Sequence, residues 1–375
     1  MPDTSAIELI ARVVRRDTVD WTGPADPAAA AAFLEAARGH GLHLIVAATL
    51  QGAGALGSWP EPIASELARG LRASALVERV RRDEIARVLA SLTARGVPAL
   101  LFKGVPLAYT CYPAPWLRPS VDVDLLVRER DRDEAVRTLE LAGYRRTDLV
   151  DGSLLMRQGE YTREARGGIR HVVDLHWQMS NAELFSDTLT FDELAAGAVA
   201  VPELGGRAFG PPHHLLVTCV HRVAHHAQMP RLVWRYDVHL LAASMDRAAL
   251  EAFVRLGVDR RVGAICASEV AAAHGLFGTC PAVPVADLIA RLRPSSPEPS
   301  AAYLRPRRRR ILRVLNDLRW QPGWRGKLRF AGQHLFPSPA YMRAAYQGSR
   351  VGWLPAQYLH RILTGVARWF RRERA

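Results

Sequence analysis

Cysteine is scarce in this chain: four in 375 residues, Cys111, Cys219, Cys266 and Cys280, widely spaced and with no CxxC pair. That argues against a disulfide framework and against a Cys-rich structural zinc site, and it favours a reducing, cytoplasmic setting. Lysine is scarcer still, since only Lys103 and Lys327 stand among 50 basic residues. A long uncharged apolar run is missing as well. The best one, Leu44 to Glu61, is interrupted by Gln51, Gly52, Gly54 and Gly57, which makes it a poor membrane span. The N-terminal stretch MPDTSAIELIARVVRRD carries charges inside its apolar pattern and does not read as a signal peptide.

What is present divides unevenly. Residues 301–375 hold 17 Lys and Arg against Asp317 and Glu373, a net +15, whereas the first 300 residues sum to −2. The basic character belongs to a tail, not to the body. With 49 % apolar residues the body can bury a substantial core. Residues 5–100 show helical spacing, with Glu66–Arg95 the clearest long helix and Gly96 at its end. Strands are predicted at Val97–Phe102, Val121–Val127, Leu154–Gln158 and Gly168–Trp177, with an amphipathic helix at Glu129–Ala142. Helix returns from Pro211, through His213–Ser244, Ala248–Leu256 and Val262–Leu276. A Pro- and Ser-rich break at Pro294–Ser300 precedes the tail, whose Arg307–Arg310 run leads to an amphipathic helix, Tyr358–Arg374. The expected division is 1–95 helical, 96–205 an α/β island, 206–293 helical on the acceptor side, and 294–375 basic.

The most informative stretch is LLFKGVPLAYTCYPAPWLRPSVDVDLLV, Leu100 to Val127. Asp122 and Asp124 are two apart on a predicted strand, so both carboxylates leave one face while Val121, Val123 and Leu125 leave the other. Like charges on one face of a buried strand are costly unless a cation lies between them. Mg²⁺ or Mn²⁺ suits such hard oxygen ligands. Gly104 in the Lys-Gly turn allows a close backbone approach to phosphate, and Lys103 or Arg118 can neutralise phosphate oxygens. An isolated Asp-x-Asp is more often a pair of solvated acids, but the setting LRPSVDVDLLV makes that the weaker reading here.

These residues, FKG…LAY…LRPSVDVDLLV followed by VVDLHW, resemble a nucleotidyltransferase family often described as uncharacterised, within the DNA polymerase β-like superfamily. The likeness extends through PPHHLLVTCVHRVAHH and RLVWRYDVHLLAA, covering roughly residues 75–350. It implies an α+β fold, a small mixed-sheet nucleotidyltransferase core embedded in helical N- and C-terminal regions. It further implies transfer of a nucleoside monophosphate from an NTP to an acceptor hydroxyl or phosphate, with pyrophosphate released. The acceptor class stays open among small molecules, peptides or proteins, and RNA. The resemblance places metal binding on Asp122 and Asp124, with Asp174 as third acid and Asp151 in reserve. The superfamily usually has Gly-Ser on the turn, so the Lys103-Gly104 pair replaces a hydroxyl contact to phosphate. His176 shares a strand face with Asp174 and is positioned either to orient the acid or to touch the nucleotide.

Two other features need weighing. His221 and His225 lie one helical turn apart, but position 222 is Arg, so no HExxH zinc motif exists and a structural or substrate-lining role is expected. Arg235 and Asp237 are expected either to pair within the helical region or to face the active-site cleft. The tail offers an acidic polymer, a nucleic acid or an anionic membrane a basic face, or simply packs with that face in water. A catalytically silent nucleic-acid-binding or membrane-associated protein is therefore the competing reading, and it leaves Lys103, Asp122, Asp124 and Asp174 unexplained.

Overall fold

In the computed structural model the described residues are 4–24, 26–147, 157–164, 168–180, 183–186, 188–226 and 231–304. In the tail they are 315, 318–319, 321, 323–337, 339–346 and 353–370. Seven strands among them form one sheet: β1 (Ala99–Phe102), β2 (Val123–Val127), β3 (Arg145–Arg146), β4 (Gln158–Glu164), β5 (Arg170–His176), β6 (Val199–Val201) and β7 (Gly206–Ala208). Their order is β3-β4-β5-β2-β1-β7-β6. The sheet is mixed, because β2 runs parallel to β5 and β1 parallel to β7, while the β1–β2, β3–β4, β4–β5 and β6–β7 pairs are antiparallel.

Four helices precede the sheet: α1 (Thr4–Arg15), α2 (Pro27–Gly39), α3 (His43–Gly52) and α4 (Glu61–Ala94). α4 is longer than its apolar spacing alone suggested, starting at Glu61 with Pro62 in its first turn, where a missing N–H costs nothing. It stops at Gly96, whose φ of +70° suits a residue without Cβ. α5 (Gly104–Thr110) follows β1, and α6 (Arg132–Leu141) follows β2. Two short helices, α7 (Glu183–Ser186) and α8 (Phe191–Ala196), lie between β5 and β6. The expected helical stretch His213–Ser244 is two helices, α9 (Pro211–His226) and α10 (Leu232–Ser244). α11 (Arg247–Asp259), α12 (Gly263–Phe277) and α13 (Val285–Leu292) complete this part.

Strand alternation sends the two faces of the sheet into two different cores. Leu101, Val123, Leu125, Val127, Val173 and Leu175 pack with Ile85, Val88, Leu89 and Leu92 of α4 and with Ala135 and Leu139 of α6. Leu100, Phe102 and Leu126 leave the other face and join a larger core shared by α1–α3 and α9–α13. Helices from before and after the sheet thus build one bundle, and the sheet is held between it and the C-terminal half of α4. Glu84 ties α4 to the sheet edge, accepting from Arg163 at 2.8 Å and from the Tyr144 hydroxyl at 2.7 Å.

β2 is shorter than predicted. It begins at Val123, with Asp122 on the loop before it and Val121 82 % exposed, so the alternation of this segment ends one pair early. The hairpin strand expected at Leu154–Gln158 is found at Gln158–Glu164; residues 154–156 lie outside the described set, as do Asp151 and Arg307–Arg310. In the tail, helices span Gly323–Leu335, Pro339–Ala345 and Leu354–Phe370, with Trp324, Leu328, Trp353 and Leu363 exposed. No described helix is long and apolar enough to cross a membrane.

Candidate active site

β1 ends in the turn that carries Lys103, and α5 begins at Gly104. Lys103 has φ 58° and ψ −131°, a region that a residue with a Cβ enters at a cost on the order of 1–3 kcal/mol. Its surroundings hold it there. His214 of α9 donates from Nε2 to the Lys103 carbonyl at 3.1 Å. The Lys103 ammonium reaches Asp124 Oδ1 at 2.5 Å and lies 5.0 Å from the Phe102 ring centroid. Gly104 is needed for a close approach, though by a side chain: a Cβ there would stand 2.0 Å from Nη1 of Arg118.

Register brings the acids together. In the parallel β2–β5 pair Asp124 stands directly opposite Asp174, and His176, two residues on, shares their face. His176 Nε2 donates to Asp124 Oδ1 at 3.0 Å. One ligand atom from each of Asp124, Asp174 and His176 lies within 4.8 Å of the others. Asp122 reaches the same cleft from the loop, which Arg81 of α4 pins by donating to the carbonyl oxygens of Ser120 and Asp122, the latter at 2.5 Å.

Burial raises every carboxyl here, and the neighbours decide the outcome. For Asp124, Lys103 and His176 outweigh burial and hold the group down at about 2. Among the described residues, the side-chain hydrogen bond to Asp174 is a weak one, from Gln158 Nε2 at 3.4 Å. Burial first, then the charges of Asp124 and Asp122, push it up to about 7. Asp122 is raised as well, by burial and by Asp124. Burial and the Lys103 charge pull His176 down to about 4, so it is a neutral hydrogen-bond donor at pH 7. Burial together with two like charges is a state that a divalent cation among these oxygens would relieve. Asp124 and Asp174 offer hard oxygen ligands that would suit Mg²⁺ or Mn²⁺, Asp122 lines the same cleft, and the neutral His176 donates to Asp124.

These acids floor a cleft of about 420 Å³ between the sheet and the helical bundle. The opposite wall carries His221, Arg222, His225 and His226 of α9 with Trp234 of α10. The Arg222 charge is taken up by a two-point contact with Glu269 of α12. His226 stacks on Trp234 with ring centroids 4.3 Å apart, and its Nε2 lies 3.2 Å from that of His221. Burial pulls both imidazoles down, His226 to about 4. His221 and His226 are therefore neutral hydrogen-bonding groups at the cleft, with the Arg231 guanidinium beside them on the Trp234 ring. His213 and His214 face elsewhere, toward Glu193 at 3.7 Å and toward the Lys103 carbonyl.

Several predicted site residues meet as expected: Lys103, Gly104, Arg118, Asp122, Asp124 and Asp174 line one cleft. His176 lies beside Asp124 and off the cleft wall; it donates to Asp124, whereas the expectation was that it would orient Asp174 or touch the nucleotide. Among the described residues no Arg235–Asp237 pair forms, and Asp237 lines the cleft, the other of its two expected placements. Asp237 accepts instead from Arg118 Nε at 2.9 Å and Nη2 at 2.7 Å, and from the Tyr112 hydroxyl at 2.7 Å. Residues two apart on a helix point to different sides, and that signal was present in the sequence. The roles of His214, Arg81 and Gln158 had no sequence signal, because each acts across a long loop in the chain.

A search of known proteins gives three findings. The model of a family described as uncharacterised nucleotidyltransferase matches residues 26–278. No curated protein matches the chain in sequence. Among solved structures, the solution structure of the antibiotic-resistance factor ANT(2'')-Ia is similar at 14 % identity, over 56 % of this chain and 90 % of that one, with a TM-score of 0.30. At that score the likeness carries no inference about substrate.

Proposed function

This chain belongs to the uncharacterised nucleotidyltransferase family, and from that membership we propose a divalent-metal-dependent enzyme that moves an NMP from an NTP to an acceptor hydroxyl. The observation that carries the metal dependence is the register of β2 on β5, which sets Asp124 against Asp174 at the floor of a cleft with room for a nucleotide. Asp122, Asp124 and Asp174 would hold Mg²⁺ or Mn²⁺. When bound, the ion supplies charge stabilisation to the phosphoryl oxygens.

The remaining work falls to the chain. Lys103, with its ammonium fixed over the floor, and Arg118, spread over Gly104, face the triphosphate oxygens. Asp174, opposite Asp124 at the floor of the cleft, takes the proton of the acceptor hydroxyl as that oxygen attacks the α-phosphorus. The bond from the α-phosphorus to the α–β bridging oxygen breaks, and pyrophosphate leaves. The α9–α10 wall, with His221, His225, His226 and Trp234, is the acceptor side. The neutral imidazoles of His221 and His226 suit a hydroxyl-bearing acceptor, whether small molecule, peptide or RNA.

The test is labelled-nucleotide binding by the wild type and by the Asp122→Asn/Asp124→Asn double variant, across ATP, CTP, GTP and UTP, with and without Mg²⁺. Metal-dependent binding that disappears in the variant is expected. Binding indifferent to both substitutions would move the nucleotide site elsewhere in the molecule.

A further inference from the structure

Asp124 uses its two oxygens unequally. Oδ1 accepts from the Lys103 ammonium at 2.5 Å and from His176 Nε2 at 3.0 Å, whereas Oδ2 accepts from no described residue. An acid that serves two metal ions does so by giving one oxygen to each, the ions standing ~3.5–4 Å apart. Here one of those oxygens is already committed to a cation that belongs to the chain.

That cation is built in. The Lys103 side chain is only 17 % exposed and Asp124 is 6 % exposed, so the pair is shielded from water and screened little by salt. The Phe102 ring supplies a second favourable surface for the ammonium. The backbone at Lys103 is strained, in a conformation where glycine would sit without cost, and the His214 hydrogen bond to its carbonyl fixes that geometry. A compact ammonium fits between Asp124 and His176, where a planar, forked guanidinium would need more space. This chain has two lysines among 50 basic residues, and one of them is here.

Building on the nucleotidyl-transfer reading above, we propose that the Lys103 ammonium permanently occupies the place of a second metal ion, so that this cleft works with one divalent cation per chain. The single ion uses Asp124 Oδ2 together with Asp122 and Asp174. Lys103 supplies the other positive charge facing the phosphates.

The test counts ions and does not depend on turnover. Mn²⁺ binding is measured by electron paramagnetic resonance and calorimetry on the full chain, saturated with an NTP analogue whose α–β bridge is a methylene group. One Mn²⁺ per chain is expected for the wild type. The Lys103→Met variant keeps a long unbranched side chain and the backbone conformation but removes the ammonium from Asp124 Oδ1, leaving only the neutral His176 donor there, and two Mn²⁺ per chain are expected, with a circular dichroism spectrum matching the wild type as the folding check. Two Mn²⁺ in the wild type would overturn the proposal outright, and that reading needs no variant. One ion in both proteins would also overturn it, since Lys103 would then not be what excludes the second. Failure of the analogue to bind at all would sink the nucleotidyltransferase reading itself, an outcome distinct from either ion count.

Discussion

The two faces of the central sheet are made by the same strands and have opposite fates. On β2, Val123, Leu125 and Val127 enter the core against α4 and α6, and on β5 Val173 and Leu175 do the same. The residues between them, Asp124, Asp174 and His176, share the other face with Leu100, Phe102 and Leu126, whose side chains reach the helical bundle. One face is stabilised by apolar area removed from water, each large aliphatic side chain contributing about 1.5–3 kcal/mol. The other tolerates two carboxyls, one of them buried, because Lys103 and the neutral His176 compensate Asp124, the deeper of the pair. The comparison teaches that the site rests on the apolar face: period-two alternation makes a firm core on one side and lets the other side hold charge in fixed positions.

The largest difference between the faces should appear in catalysis. Asp124→Asn removes the acid that both Lys103 and the proposed ion use, and nucleotidyl transfer is expected to fall about 10³-fold, corresponding to ~4 kcal/mol of charge stabilisation. Steady-state pyrophosphate release with a fixed acceptor measures this. A fall under tenfold would mean that the acidic face is not the reacting one.

One residue further along, Leu125→Ala should act on the other axis. Leu125 is fully buried, so the cavity is expected to cost about 2–5 kcal/mol of stability, while activity per folded molecule changes little. Denaturant midpoints and active-site-normalised rates separate the two effects. A large loss of turnover in a folded Leu125→Ala protein would mean that the faces are not independent.

A subtler outcome concerns Asp174, where function and stability are expected to oppose each other. Its carboxyl lies at about 7 in the folded protein, against about 3.9 in the unfolded chain. Between those values the folded state holds a proton that the unfolded state has released, so this group lowers stability as pH rises from about 4 to about 7 and levels off above. Asp174→Asn removes that penalty. In chelator, its melting temperature should match the wild type near pH 4.5 and exceed it by about 2 °C or more at pH 8. A gap that fails to widen with pH would mean that Asp174 is not held up by its neighbours.

The smallest effect is expected at Val121, which strict alternation assigns to the apolar face. It is 82 % exposed, and Val121→Ser should change stability by less than about 0.5 kcal/mol in a thermal melt. A cost above 1 kcal/mol would show that the apolar face extends past Val123.

Much of this was legible in the sequence because it is local. Asp-x-Asp between valines already pointed to both acids of the cleft, although Asp122 reaches it from the loop before β2 and not from the strand face that alternation assigned it. Gly96 after a long amphipathic run marks the end of α4, and the Lys-Gly turn after an apolar run marks a close approach, which in the folded chain is made by the Arg118 side chain. The two-helix break between α9 and α10 was missed because both segments keep helical spacing on either side of it. Asp237 was assigned to Arg235 by nearness in the chain, although its partner, Arg118, lies 119 residues away.

By itself, then, the amino-acid sequence determined the elements, the alternation of their faces, and which acids and cations were available. The tertiary structure alone decided who meets whom: Asp124 beside Asp174, Lys103 on Asp124, Arg118 on Asp237, His214 beneath the Lys103 carbonyl. Local propensity acts over a few residues through backbone sterics and side-chain spacing. The pairing of distant charges depends on strand register and on which helix the sheet packs against, and those are settled only when the whole apolar core closes.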